Sequence, residues 1–202
     1  MEKYFCEDSM SPTTVNKFKE YLYSKLKEPI LNKQPIIFLC IGTDRSTGDS
    51  LGPLVGYKLK CEHKNNVYVY GCLETPVHSK NLTTVLEKIK RYFSNPYIIA
   101  IDSSLGTIQN VGKIFIEEKP LTPGLALNKD LPPVGDLSIT GVVNISGNLE
   151  FIVLQNTRLF TVMTLADCIT NGIKKCLDKI STDFSSDNSF SAKLSINKIR
   201  KG

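Results

Sequence analysis

The sequence predicts one α/β domain wound around a mostly parallel sheet. Three observations carry that expectation. The first half of the chain alternates strand, helix, strand, helix, strand, the order that winds a parallel sheet. Two of those strands are unbroken apolar runs, as strands covered on both faces are. A length of 202 residues, with 41% hydrophobic and 22% charged content, suits a single core rather than a disordered or membrane chain.

The elements follow in chain order. Ser11 followed by Pro12 reads as a capped helix opening. Val15, Phe18, Leu22 and Leu26 then recur at helical spacing, giving an amphipathic helix over residues 12–28. Residues 35–41 (Pro-Ile-Ile-Phe-Leu-Cys-Ile) form a buried strand, and a polar, glycine-bearing loop at 42–50 leads into a helix over 51–59. Residues 67–71 are the next strand. Leu82, Val85, Leu86, Ile89 and Phe93 mark a helix capped near Ser79. Residues 97–101 form the third strand, ending at Asp102, and 112–117 alternate in a way that suits an antiparallel strand. Four prolines and two glycines between 119 and 136 predict a long surface loop, a feature that is often functional in a compact domain. Residues 138–145 and 151–154 supply the last strands. A closing helix runs from 157 to about 180, with Met163, Ala166, Ile169, Ile173, Cys176, Leu177 and Ile180 on one face. The domain is thus expected over 1–180, with 181–202 a polar, flexible tail.

Composition narrows the partners. No apolar run approaches the roughly 20 residues that span a bilayer, and the first ten residues lack the basic-then-apolar pattern of a secretory signal. A cytoplasmic protein without a membrane partner is expected. Six cysteines at 6, 40, 61, 72, 168 and 176 include no C-x-x-C pair and read as free thiols of a reducing compartment. The net charge of +5 is spread along the chain apart from Lys198, Arg200 and Lys201. No basic stripe with interleaved aromatics appears, so nucleic acid is not an expected partner. No cofactor is implied.

The chemistry concentrates in the loop at 42–50, which joins a buried strand to a helix at the carboxyl edge of the sheet, where ligands of open α/β folds bind. It is neither a Walker A loop nor a G-x-G-x-x-G turn. It offers Asp44, Arg45 and Asp49 among small neighbours. Asp102 closes an apolar strand, a costly place for a carboxylate unless it is paired, capped or used. If the two strands are adjacent and parallel, Asp49 and Asp102 share one edge, and their proton affinities diverge. Such a pair can activate water and protonate a leaving group, or hold a divalent metal. The competing structural role is that Asp49 caps the following helix and Asp102 caps a turn. Thr43, Asp44 and Ser50 would shape the pocket, with Glu74 and His78 as further wall candidates. His63 reads as surface, Asp136 and Asp167 as turn or helix polar residues, and no G-x-S-x-G elbow is present.

Residues 41–53 (Ile-Gly-Thr-Asp-Arg-Ser-Thr-Gly-Asp-Ser-Leu-Gly-Pro) and 98–102 (Ile-Ile-Ala-Ile-Asp) resemble the two signature segments of the spore germination protease and hydrogenase maturation protease superfamily. Within it the chain looks closest to the YyaC-type sporulation proteins. The resemblance continues through residues 71–81, 129–147 and 154–159, and covers about 12–180. It implies a three-layer, phosphorylase/hydrolase-like α/β sandwich of the hydrogenase maturation protease type. It also implies that Asp49 and Asp102 stand at the two acidic positions of the site. The maturation proteases add a histidine metal ligand after the fourth strand. Here residues 128–133 read Asn-Lys-Asp-Leu-Pro-Pro, so the metal-independent acid protease is the nearer comparison and no metal ligand is assigned. The germination protease is considerably longer, with inserts and a propeptide.

The resemblance therefore implies a sporulation-associated, germination protease-like endopeptidase in the cytoplasm of a forespore or spore. Asp49 and Asp102 would be catalytic, and Thr43, Asp44, Ser50, Glu74 and His78 would meet substrate. The loop at 119–136 would border the groove. The substrate would be a protein or peptide such as a spore protein, and self-association into a homo-oligomer is a further expectation. Two alternatives stand beside it: a non-catalytic binding module, and a metal-dependent amidase or peptidase using Asp49 and Asp102 with Glu74 or His78.

Overall fold

The computed structural model describes residues 4–59, 66–123 and 132–199, with side chains as far as 183. Six strands form one sheet in the order β1-β5-β6-β4-β2-β3: β1 (Tyr4–Asp8), β2 (Ile36–Cys40), β3 (Val67–Tyr70), β4 (Tyr97–Gly106), β5 (Lys113–Glu117) and β6 (Leu137–Ile145). β3, β2, β4 and β6 run parallel, while β5 and β1 are added antiparallel on the far side. The helices are α1 (Thr14–Leu31), α2 (Leu51–Leu59), α3 (Leu82–Tyr92), α4 (Glu150–Gln155) and α5 (Leu159–Ile199). Among the described residues no helix is long and apolar enough to cross a membrane.

The strand period of two explains the layering. Ile36, Phe38 and Cys40 enter one core with Ile99 and Ile101, beneath α1, α2 and α5. Ile37, Leu39, Ile41 and Ala100 enter a second core with Leu82 and Ile89 of α3. β2 is apolar at every position, as is β4 from Ile98 to Ile101, because both faces are covered there. The result is the expected three-layer α/β sandwich, with unequal layers. Among the described residues α1, α2 and α5 lie on one face, joined by Leu154 of α4, and α3 covers part of the other. The thick layer is held by apolar burial of about 1.5–3 kcal/mol per large side chain. Phe18, Leu22 and Leu26 of α1 are wholly buried there. α1 and α5 approach closely at Gly172, where an added Cβ would lie 2.3 Å from the Phe18 ring.

Several boundaries differ from expectation. β1 was not anticipated: its Phe5 is buried and meets Phe18 edge-on, with ring centroids 5.8 Å apart. α1 starts at Thr14, after a turn in which the Thr14 N–H donates to the Ser11 carbonyl. Ser11 and Pro12 thus make the approach to the helix rather than its cap. α3 opens at Asn81, not Ser79, and the Asn81 Oδ1 accepts from the His78 N–H. Residues 151–154, expected as a strand, belong to α4; only Leu154 is buried there, so a single apolar contact anchors one helical turn. β4 does not stop at Asp102 but continues to Gly106 along β6. α5 runs on to Ile199 through the stretch expected as a loose tail. His63, Cys61 and residues 128–131 lie outside the described residues.

The five described cysteines are free, and Cys40, Cys168 and Cys176 are buried. Burial pushes the Cys168 thiol up to about 11 and that of Cys176 up to about 12, and raises Cys40 further still.

Candidate active site

The loop after β2 folds back on itself. The Gly42 N–H donates to the Val77 carbonyl at 2.8 Å, and the Thr43 N–H donates to the Asp49 carbonyl at 2.9 Å. Gly42 has φ +134°, and a Cβ there would lie 2.1 Å from the Asp49 oxygen. The position therefore needs glycine both for its backbone angle and for space. The Asp49 N–H donates to the Ser46 carbonyl, forming the short 3₁₀ turn Thr47–Ser50. Ser50 is turned inward, its Oγ donating to the Thr47 carbonyl at 2.6 Å. α2 then begins against the end of β2, where a Cβ on Gly52 would lie 2.0 Å from the Ile41 oxygen.

Asp102 reaches the same place from the sheet. The ladder between β2 and β4 ends at Cys40 and Ile101, whereas β4 and β6 stay paired through Asp102 and Thr140 to Gly106 and Ile145. Asp102 is thus the first residue of β4 beyond the end of β2. The alternation of β4 sends its side chain toward the face of α3. It is 8% exposed, and its Oδ1 accepts the Ser103 N–H at 2.7 Å. Its carboxyl is held well above the usual carboxylate range, first by burial and then by the charge of Asp49, with the Ser103 N–H pulling the other way. Asp49 is only half-buried.

Two cavities meet at this pair. Asp49, Asp102 and Leu154 line both. The smaller, about 420 Å³, is walled by Ser104, Thr140, Glu117, Lys119 and Glu150 among others. The larger, about 760 Å³, is walled by Thr43, Asp44, Arg45, Ser46, His78, Lys80 and Phe151 among others. The structure thus gathers Asp49, Asp102, Thr43, Asp44 and His78. It leaves out Ser50, and Glu74 is exposed and lines neither cavity. The segment after β5 borders both, through Lys119 and Thr122 on one side and Pro123 on the other.

Thr140, Ser104 and Glu150 were not foreseen. The first two arrive through the continued pairing of β4 with β6, and Glu150 through α4, whose apolar residues read as strand. The pair itself can perform acid–base chemistry: a buried carboxyl of raised proton affinity stands beside a half-buried one. Among the described residues no group of three or more His, Cys, Asp or Glu is placed to hold a metal.

By fold and site, this is an α/β protein with a paired-aspartate cleft at the carboxyl edge of its parallel strands. The chain belongs to the family described as "Protein of unknown function (DUF1256)", whose model matches residues 7–172. It is similar to "Uncharacterized protein YyaC" of Bacillus subtilis (strain 168), 51% identical over 140 residues that cover 69% of this chain and 68% of that protein. A solved [NiFe] hydrogenase maturation protease, HycI from Thermococcus kodakarensis KOD1, is similar at 15% identity and a TM-score of 0.42. That match covers 70% of this chain and 93% of that one, and is too distant to bear on activity.

Proposed function

We propose that the chain is a peptidase that hydrolyses a peptide bond with Asp49 and Asp102 as its acid–base pair. The observation that carries this reading is a buried carboxyl, Asp102, whose proton affinity burial and the charge of Asp49 raise, at the junction of two cavities. Asp49, the more exposed partner, takes a proton from a water molecule as that water attacks the carbonyl carbon. Asp102 supplies its proton to the departing amine, and the two then exchange protons with solvent to restore the pair. Thr140 and Ser104 stand beside Asp102, where hydroxyls can orient the scissile carbonyl.

The resemblance to YyaC-type sporulation proteins, which continues through residues 71–81, 129–147 and 154–159, supports a setting in sporulation, in the cytoplasm of a forespore, with a spore protein as substrate. The test of the chemistry is hydrolysis of a mixed peptide library by the parent and by Asp49→Asn and Asp102→Asn. Each variant is expected to lose about 10²- to 10⁴-fold in kcat. Undiminished cleavage by the double variant would end the proposal.

A second reading, a non-catalytic binding module, is favoured by the apolar rim of the cleft. Phe151, which lines the larger cavity, is 53% exposed, and Leu149 and Ile152, close to it in sequence, are 70% and 49% exposed. It requires that the double Asn variant still bind its partner and still serve in the cell.

A further inference from the structure

The two cavities differ in charge once the shared aspartates are set aside. In the larger, Arg45 and Lys80 face one acid, Asp44. Neither cation forms an ion pair among the described residues, so this arm keeps one positive charge. In the smaller, Lys119 is taken by Glu117, with Nζ and Oε1 2.9 Å apart. Glu150 stands without a cation of its own among the described residues, so that arm keeps one negative charge. Among the described residues the two arms share Asp49, Asp102 and Leu154. A chain crossing the pair therefore enters a positive wall on one side and a negative wall on the other.

We infer that the cleft reads the charge direction of its peptide, seating a carboxylate-bearing group in the larger arm and a basic side chain in the smaller. This deepens the peptidase reading and rests on it for the peptide as ligand. Arg45 and Glu150 are the residues that set the direction. Like charges forced together on the wrong side discriminate as much as opposite charges attract. The carboxylate has two sources, an Asp or Glu side chain or the carboxyl terminus of the peptide.

The test uses the full chain and two labelled peptides of identical composition, ends blocked, with an apolar centre flanked by Glu on one side and Lys on the other, in either order. Equal composition cancels non-specific attraction. Fluorescence anisotropy at low salt is expected to show one order binding about fivefold tighter, the sum of two exposed charge contacts. Raising salt to about 0.5 M should erase the difference. Arg45→Glu combined with Glu150→Lys is expected to swap the preferred order. A third peptide, free at its carboxyl end and without Glu, identifies the carboxylate source. Retained affinity that Arg45→Glu abolishes assigns the chain terminus, and weak binding assigns the side chain. Equal binding of the two orders, no binding of either, or a preference that survives the double reversal overturns the inference. Cleavage of the same peptides is scored separately. Order preference without cleavage retires the peptidase and keeps the charge reading, whereas cleavage without order preference does the reverse.

Discussion

Desolvation of Asp102 and the charge of Asp49 both oppose ionisation, so the folded chain keeps a proton there that the unfolded chain releases near the ordinary carboxylate value. The stability that this proton contributes is full below that value, and is lost as pH rises through the raised folded one. Asp102→Asn cannot ionise and escapes the loss. The variant is expected to melt above the parent at pH 7 and to converge with it near pH 3, while losing hydrolysis. A lower Tm at pH 7 would show the carboxylate to be structural. Ser46 offers a contrast: its Oγ is buried with no hydrogen-bond partner among the described residues, so Ser46→Ala should raise stability by about 1 kcal/mol by chemical denaturation. A loss of similar size would mean that the hydroxyl is satisfied in solution. Asp49 and Asp102 were legible because each is a carboxylate at the end of an apolar run or in a polar loop. Thr140 was not, since its place beside Asp102 comes from a pairing some 40 residues distant that no local pattern encodes. Glu74, named for its nearness in sequence to His78, is exposed and lines neither cavity.

The loop at 42–50 behaves as a single device: it has one conformation that brings Asp49 to Asp102, and Gly42 permits it. Gly42→Ala is expected to cost more than about 3 kcal/mol. Gly147→Ala, where nothing lies within 4 Å, should be close to neutral. Urea denaturation of both compares them directly, and a cost below about 1 kcal/mol for the first would show that the loop has another way to close. At the sheet's far side, Phe5→Ala should cost about 3–5 kcal/mol, because that ring joins β1 to α1 through Phe18 and Tyr21. A negligible change would detach β1 from the core. The strands from 36 to 40 and 67 to 70, and the helix from 51 to 59, were legible almost to the residue because hydrophobic period and punctuation agree there. β1 was hidden because Tyr-Phe-Cys-Glu-Asp shows no alternation and becomes a strand only by pairing with β5. The run Phe-Ile-Val-Leu in α4 is too short for periodicity to separate strand from helix.

The whole molecule is lopsided. Three helices and most of the buried volume lie on one side of the sheet, and the cleft opens where the thin side runs out of helix. The mostly parallel fold was legible from element order; the imbalance between layers was not, because it depends on which face each helix takes. Amide exchange in β2 and β4, flanked on both sides, should track global unfolding, while the outer edge of β3 exchanges sooner. Uniform protection would instead indicate one indivisible unit. The buried thiols supply a chemical clock for the same events. Alkylation requires a thiolate, and burial disfavours it in the buried Cys40 on β2 and Cys168 and Cys176 on α5, and in the partly covered Cys6 on β1; Cys72 is also only partly covered. In a Cys61→Ser background, timed pulses of iodoacetamide would stamp each residue at the moment its element opens. The chain's own thiols thus write the order of its disassembly into its mass spectrum.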